Sequence, residues 1–326
     1  EHHDISTTMP APDFVGGGQI LYDEAQMPGN KYLSSALEEG FLKAPNNDRM
    51  KFSLLWCNHD LGDIARGAVT PETFELLTDY VIEHYFKHPS YWLVDGCPYF
   101  SIYEVNTFLA TFGGDYARAG EAIARFREKV KAAGFPDLHL NGVLFGLGGI
   151  LSQAVAALGL NSTTSYVWIH HNILPDFPAT RYEKAASQYM NSVRNGGGSN
   201  GLENGAAGIP VPYHLNISMG WDSSPRCGNV TPGEWLRRRD YPFGAVIVDN
   251  TPYLFKKYLA EAKAWTLAKP ESERIVVINS WNEWGEGSYL EPDTENGMGY
   301  LEAVRDVFGS QQANGTGTAG ERTVKN

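Results

Sequence analysis

Three carboxylates, Glu283, Glu286 and Glu291, fall within nine residues of the segment Trp281-Asn282-Glu283-Trp284-Gly285-Glu286-Gly287-Ser288-Tyr289-Leu290-Glu291-Pro292. The segment carries two indoles and two glycines, and it follows an apolar run of strand length. Cleavage of a glycosidic bond commonly needs two carboxyl groups with divergent roles. One is held protonated to donate to the leaving oxygen; the other is ionised and acts as nucleophile or base. Neighbouring carboxylates and apolar indole walls separate two such pKa values. Glycines let the backbone approach a ligand closely. A surface acidic loop is the plain alternative, but exposed loops rarely carry two indoles with nothing to cover them. Glu283 and Glu286 are therefore the candidate catalytic pair, with Trp281, Asn282, Trp284 and Glu291 around the substrate.

Such a segment has to be presented by a scaffold, and the chain reads as strands alternating with helices. Strands are expected at Gln19–Tyr22, Lys51–Trp56, Tyr99–Tyr103, Leu138–Phe145, Thr164–Ile169, Tyr213–Met219 and Arg274–Asn279. Helices are expected at Tyr32–Leu42, Pro71–Phe86, Tyr116–Ala133, Leu151–Leu158, Tyr182–Val193, Thr251–Ala268 and Gly299–Phe308. Thr70 suits an N-cap, with Pro71 in the first helical turn. This alternation predicts a parallel sheet with crossover helices, an α/β class. No strand is followed by a G-x-G-x-x-G turn; Gly146-Leu147-Gly148-Gly149 comes nearest with the wrong spacing, so a barrel is preferred to a dinucleotide-type open sheet. The expectation is an irregular segment 1–31, a (β/α) barrel over 32–308 and a disordered tail over 309–326. Asn195–Gly208, with six glycines, reads as a flexible insertion within the barrel.

Barrel chemistry collects at the carboxyl ends of the strands. Residues at or just past those ends are Trp56, Asn58, His59 and Asp60; Tyr103; Asn141 within its strand; Trp168, His170 and His171; and Trp221, Asp222 and Arg226. Turn chemistry or core packing is a sound alternative for each one singly. As a set, their Trp, Asn, His, Asp and Arg types suit sugar hydroxyls and ring faces better than ordinary turns. His59, Asp60, His170 and His171 carry metal-ligating atoms, but no H-x-H or H-E-x-x-H spacing is present, and consecutive His170 and His171 point apart on an extended strand. No metal and no cofactor is expected.

Composition limits the partners. A net charge of −12 disfavours a general binder of phosphate backbones. The single basic run, Arg237-Arg238-Arg239, reads as a solvated helix face. No apolar run is long enough to span a bilayer. Eight Trp and seventeen Tyr supply both a core and stacking surfaces for sugars. Cys57, Cys97 and Cys227 are too far apart in sequence to form a metal pattern and read as free thiols. Sequons stand at Asn161, Asn216, Asn229 and Asn314. The N-terminal Glu1-His2-His3-Asp4 has no apolar signal core; a secreted or extracytoplasmic location is the expectation.

The segment Trp281–Pro292 resembles the signature of the glycoside hydrolase family 99-like proteins, also known as WbsX-type glycosyltransferases. The resemblance extends to Gly40-Phe41-Leu42-Lys43-Ala44-Pro45-Asn46-Asn47, Phe52–Asp60, Tyr99–Tyr103, Tyr166–His171 and Met219–Asp222, about residues 32–308 in all. It implies a (β/α)8 barrel acting on oligo- or polysaccharides. The family's E-W-x-E-G glutamates fall on Glu283 and Glu286. There, the first acts as base on the sugar 2-hydroxyl through an anhydro-sugar, and the second as general acid and then base, with net retention. The residues themselves leave open a conventional nucleophile and acid pair. The family carries two strands ahead of the Tyr32 helix, and no matching first-strand motif is visible here. Fewer than eight regular parallel strands are therefore expected. A glycosyltransferase of polysaccharide synthesis and a sugar-binding barrel with impaired catalysis remain as rival functions.

Overall fold

The computed structural model describes residues 7–9, 15–22, 31–32, 36–58 and 69–309. In chain order its strands are β1 (Thr7–Met9), β2 (Val15–Tyr22), β3 (Lys31–Tyr32), β4 (Lys51–Trp56), β5 (Leu93–Val94), β6 (Cys97–Ile102), β7 (His139–Val143) and β8 (Ser162–Thr164). They continue with β9 (Ala179–Arg181), β10 (Tyr213–Ser218), β11 (Val246–Val248), β12 (Val276–Asn279), β13 (Asn282–Glu283) and β14 (Ser288–Tyr289). The α-helices are α1 (Pro71–Val81), α2 (Val105–Thr111), α3 (Tyr116–Ala132), α4 (Leu151–Leu158), α5 (Tyr182–Asn195), α6 (Pro232–Arg237), α7 (Pro252–Leu267) and α8 (Gly299–Phe308).

Strands β2, β4, β6, β7, β8, β10 and β12 pair in that order, each parallel to the next. Between the two ends of that series lies β1, antiparallel to both β12 and β2. The architecture is the α/β barrel type, altered at its N-terminal strands, and among the described residues seven strands run parallel in this series, with β9 and β11 forming a separate parallel pair. The segment read as irregular is not so throughout: β2 begins at Val15 and pairs with β4 from Val15↔Lys51 to Ile20↔Trp56. Gly16-Gly17-Gly18 hides it from a reading based on β propensity, because glycine carries little preference for a strand. The tail from residue 310 lies outside the described residues.

Parity along the strands sorts the side chains. In β4, Phe52, Leu54 and Trp56 share one side, and Trp56 stacks on Phe74 of α1 with ring centroids 5.6 Å apart. Ser53 and Leu55 take the other side and border a small interior cavity with Tyr99, Ser101, Val143, Thr164 and Val277. Both faces are buried, so β4 reads as a near-continuous apolar run. The interior is partly polar, and part of it is bonded within itself. Ser101 Oγ donates to Asn141 Oδ1 at 3.1 Å, and Asn141 Nδ2 donates to Ser162 Oγ at 2.9 Å.

Helix starts follow the sequence cues. Thr70 Oγ1 accepts from Thr73 N at 3.2 Å, and Thr251 caps α7 in the same way. The expected helix over Tyr32–Leu42 is instead a π-turn at Ala36–Gly40 followed by a 3-10 turn at Phe41–Lys43. The glycine-rich insertion folds back as a bonded loop. Gly197 N donates to Glu203 O, Ser199 N donates to His171 O, and Leu202 is fully buried. All three cysteines are free thiols. The sequon residue Asn216 is fully buried in β10, which removes it as a glycosylation acceptor in the folded chain. Among the described residues, no helix is long and apolar enough to cross a membrane.

Candidate active site

The segment after β12 turns sharply and returns as a short hairpin. β13 pairs antiparallel with β14, Glu283 opposite Ser288. Ser280 Oγ donates to Ser288 O at 2.7 Å, and Ser288 Oγ donates to Gly220 O at 2.6 Å. The hairpin is thereby tied both to its own base and to the exit of β10. Gly287, at φ +63°, closes the turn. A Cβ there would stand 2.8 Å from the Asp222 Cβ and 2.9 Å from the Asp222 nitrogen, so only glycine lets the loops meet.

Glu283 and Glu286 share one guanidinium. Arg226 Nη2 stands 2.8 Å from Glu283 Oε1, and Arg226 Nε stands 3.4 Å from Glu286 Oε1. Gly285 makes this possible, since a Cβ at that position would lie 3.3 Å from three atoms of the guanidinium. Glu283 is only 4% exposed. The hydroxyl of Tyr241 donates to Glu286 Oε1 at 2.8 Å. Burial raises the pKa of Glu286 above the ordinary carboxylate value; the Tyr241 hydrogen bond opposes this, the Glu283 charge reinforces it, and Arg226 opposes it. The site therefore holds one carboxylate strongly paired to a cation and one biased towards its protonated form.

Around the pair, the backbone nitrogen of Asp222 donates to Glu286 O at 2.7 Å, and Asp222 Oδ1 accepts from Ser224 N at 2.9 Å. Asp222 thus builds the turn that faces the hairpin. Trp284 is 45% exposed yet immobilised. It stacks on Tyr289 at 3.7 Å, and its indole nitrogen donates to Glu291 Oε2 at 2.8 Å. Glu291 orients this platform. The Trp281 carbonyl accepts from Leu290 N and Glu291 N, which fixes the far arm of the loop, and Asn282 opens β13 half-buried.

Over the ends of β6 to β8 a second, aromatic group assembles. Tyr103 meets Tyr166 edge-on at 5.1 Å, and His170 lies 4.2 Å from the Phe145 ring centroid. Burial pushes His170 down to about 3, so it is a neutral ring at ordinary pH. The flanking residues Ile169 and Asn172 border a cleft of ≈ 370 Å³ together with Trp221 and Tyr241. Because Tyr241 also holds Glu286, this cleft adjoins the carboxylate pair.

Several strand-end candidates face elsewhere. Trp56 shares the parity of Phe52 and Leu54 and is core under α1. Trp168 sits on a 3-10 turn past the end of β8, which stops at Thr164 rather than Ile169. Its indole nitrogen donates to Asn216 O and its ring stacks on Tyr189, so it too is core. His171 is buried and donates from Nδ1 to Ser199 O at 2.9 Å, anchoring the glycine-rich loop. Asn141 belongs to the interior polar belt. His59 and Asp60 lie outside the described residues. Among the described residues, no three His, Cys, Asp or Glu side chains gather to hold a metal ion.

Asn58 is fully buried and ties two strand exits together. Its Nδ2 donates to Glu104 O at 2.7 Å, and Glu104 N donates to its Oδ1 at 2.8 Å. Asn58→Ala strands a backbone donor and acceptor, each costing about 1–3 kcal/mol when left unpaired. We expect a stability loss of about 2 kcal/mol or more, read by denaturant midpoint. A midpoint equal to wild type would argue against this structural role.

Tyr241 escaped the sequence reading. It stands in the irregular stretch between Arg239 and β11, away from every expected strand end, and no local pattern marks it.

The description "Glycosyltransferase WbsX" belongs to the family model that matches residues 27–304. The protein WxcX of Xanthomonas campestris pv. campestris is 33% identical over 93 residues. That match covers 28% of this chain and 12% of WxcX, so the chain spans about an eighth of that relative. Among solved structures, the GH99 endo-alpha-mannosidase from Bacteroides thetaiotaomicron matches at TM-score 0.51 and 17% identity, over 90% of this chain and 77% of that one. A second structure of that enzyme gives TM-score 0.51 and 16% identity, over 90% and 73%. These likenesses show a shared fold, that of the GH99 barrels. With the family model spanning most of its length, the chain belongs to the WbsX family and is a GH99-like protein.

Proposed function

We propose that the chain hydrolyses glycosidic bonds in an oligo- or polysaccharide, with Glu286 as general acid and Glu283 as the ionised partner. The observation that carries this reading is the Arg226 bridge. One guanidinium pairs with buried Glu283 at 2.8 Å, while Glu286, further from it at 3.4 Å, is raised by burial. Two carboxyl groups in unlike environments are what acid–base cleavage of an acetal requires. Glu286 gives its proton to the leaving oxygen as the bond to the anomeric carbon breaks. Glu283 then either bonds that carbon itself or takes the proton of the neighbouring 2-hydroxyl, whose oxygen bonds it. Water then bonds the anomeric carbon and gives a proton to Glu286, while that carbon's bond to Glu283 or to the 2-oxygen breaks; Glu283 leaves as carboxylate in the first route and returns its proton to the 2-oxygen in the second. One guanidinium reaches both carboxylates, and we take the pair to work with retention, for which a carboxylate spacing of about 5 Å is typical.

Incubation with a glycan panel, with and without nucleotide sugars, tests the reading. New reducing ends without any nucleotide sugar are expected; products that form only with a nucleotide sugar would establish the transferase suggested by the family's name. The pH profile is a further prediction. The acid must be protonated, so the rate falls as pH rises through the Glu286 pKa, which lies above the ordinary value of 4.5. Tyr241→Phe deletes a hydrogen bond that lowers this pKa, so the alkaline limb moves to higher pH. A limb that stays in place, or moves down, contradicts the assignment of Glu286 as the acid.

A further inference from the structure

The basic run Arg237-Arg238-Arg239 does not form one solvated helix face. Helix α6 ends at Arg237, and Arg238 pairs with Asp240 at 2.8 Å. Arg239 goes elsewhere. Its guanidinium lies 3.2 Å from the ring centroid of Phe177, whose other contact is Trp235, stacked at 5.4 Å. Phe177 and Arg239 both border the ≈ 370 Å³ cleft with Trp221 and Tyr241, and Tyr241 in turn donates to Glu286 at 2.8 Å. Apart from Asn172 the remaining wall is apolar or small, with Ile173 at 91% exposure.

Two features of this cleft call for a particular occupant. Its aromatic wall suits the C–H face of a sugar ring. Its cation lies over the Phe177 ring at 3.2 Å, and a guanidinium offers carboxylate or sulfate oxygens a planar fork of donors. In a chain of net charge −12, two nearby arginines are committed, Arg226 to Glu283 and Glu286 and Arg238 to Asp240. An anion approaching the site thus meets Arg239 as the matching charge.

We propose that this cleft is a subsite for an anionic sugar residue, one bearing a carboxylate or a sulfate ester, next to the bond that is cut. The proposal rests on the glycosidase reading and adds a substrate class to it. Arg239 is a specificity-determining residue here, gripping the anion while Phe177 holds the guanidinium in place and Trp221 and Tyr241 cover the sugar.

The test uses the full chain carrying Glu286→Gln, to prevent turnover, on an array of uronate-bearing and sulfated oligosaccharides. Each is paired with its carboxyl-reduced or desulfated counterpart. Retention of anionic glycans over their neutral counterparts is expected, weakening as salt rises. Adding Arg239→Gln should cut affinity for the anionic glycans about tenfold or more while leaving any neutral binding unchanged. A merely structural role for Arg239 would lower both together. The uronate and sulfate arms separate the two sources of charge. Equal retention of neutral counterparts, no retention of any anionic glycan, or indifference to Arg239→Gln would each overturn the subsite. Failure of the wild-type chain to cleave a retained glycan would instead strike the glycosidase reading and leave the subsite standing. Cleavage confined to neutral glycans would do the reverse.

Discussion

Replacing Glu286 with glutamine is expected to slow glycan cleavage by at least about 100-fold, a typical contribution of general acid–base catalysis. Glutamine keeps the shape and can still accept the Tyr241 hydroxyl, but it has no proton to give to a leaving oxygen. Glu283→Gln should do similar or greater harm, because the ionised partner is lost while the volume of the buried site is kept. Folding should survive in both variants, which circular dichroism and a denaturation midpoint would check. Glu291→Gln provides the contrast. Its carboxylate bonds the Trp284 indole rather than facing the pair, so a much smaller loss is expected. Near-normal turnover by either Glu283→Gln or Glu286→Gln would sink the pair and direct attention to Asp222 and Asp60.

The second large effect concerns Arg226. Glu283 is 4% exposed, and its carboxylate stands 2.8 Å from the guanidinium. Arg226→Met removes the cation and leaves a buried charge to be neutralised by proton uptake or by rearrangement. Breaking a buried pair from one side costs about 3–5 kcal/mol; with Arg226 27% exposed, the lower end, about 3 kcal/mol, is expected. Activity should fall by about 100-fold or more, since Glu283 would lose the cation that pairs with it and positions it. Arg226→Lys should recover part of the stability but less of the activity, because a point charge cannot reach both carboxylates as the planar fork does. A Met variant as stable and as active as wild type would falsify the bridge as the organising feature of the site.

The division between what was legible and what was not follows parity and distance. Strand–helix alternation, the α/β class, and the cap at Thr70 are local properties, carried by apolar periodicity and by a side chain that reaches its own backbone. The pair Glu283 and Glu286 was legible for the same reason, since both glutamates, the indoles and the glycines sit in one short segment. β2 was half-hidden because three consecutive glycines carry no propensity signal, and the strand exists only through its pairing with β4.

Orientation was beyond the sequence. Trp56 and Trp221 both stand near the ends of apolar runs and look alike as strings, yet parity along β4 sends Trp56 under α1 while Trp221 borders the cleft. His170 and His171 are neighbours, but one joins the aromatic group and the other anchors a loop. Tyr241 and Arg239 acquire meaning only through residues far away in the chain, Glu286 in one case and Phe177 in the other. The sequence alone determined that two carboxylates would stand on one turn after a buried strand. Only the tertiary structure decided that a single guanidinium, brought in from the loop after β10, would reach both of them while burial raises the pKa of Glu286, because this depends on burial and on charges that no local pattern encodes.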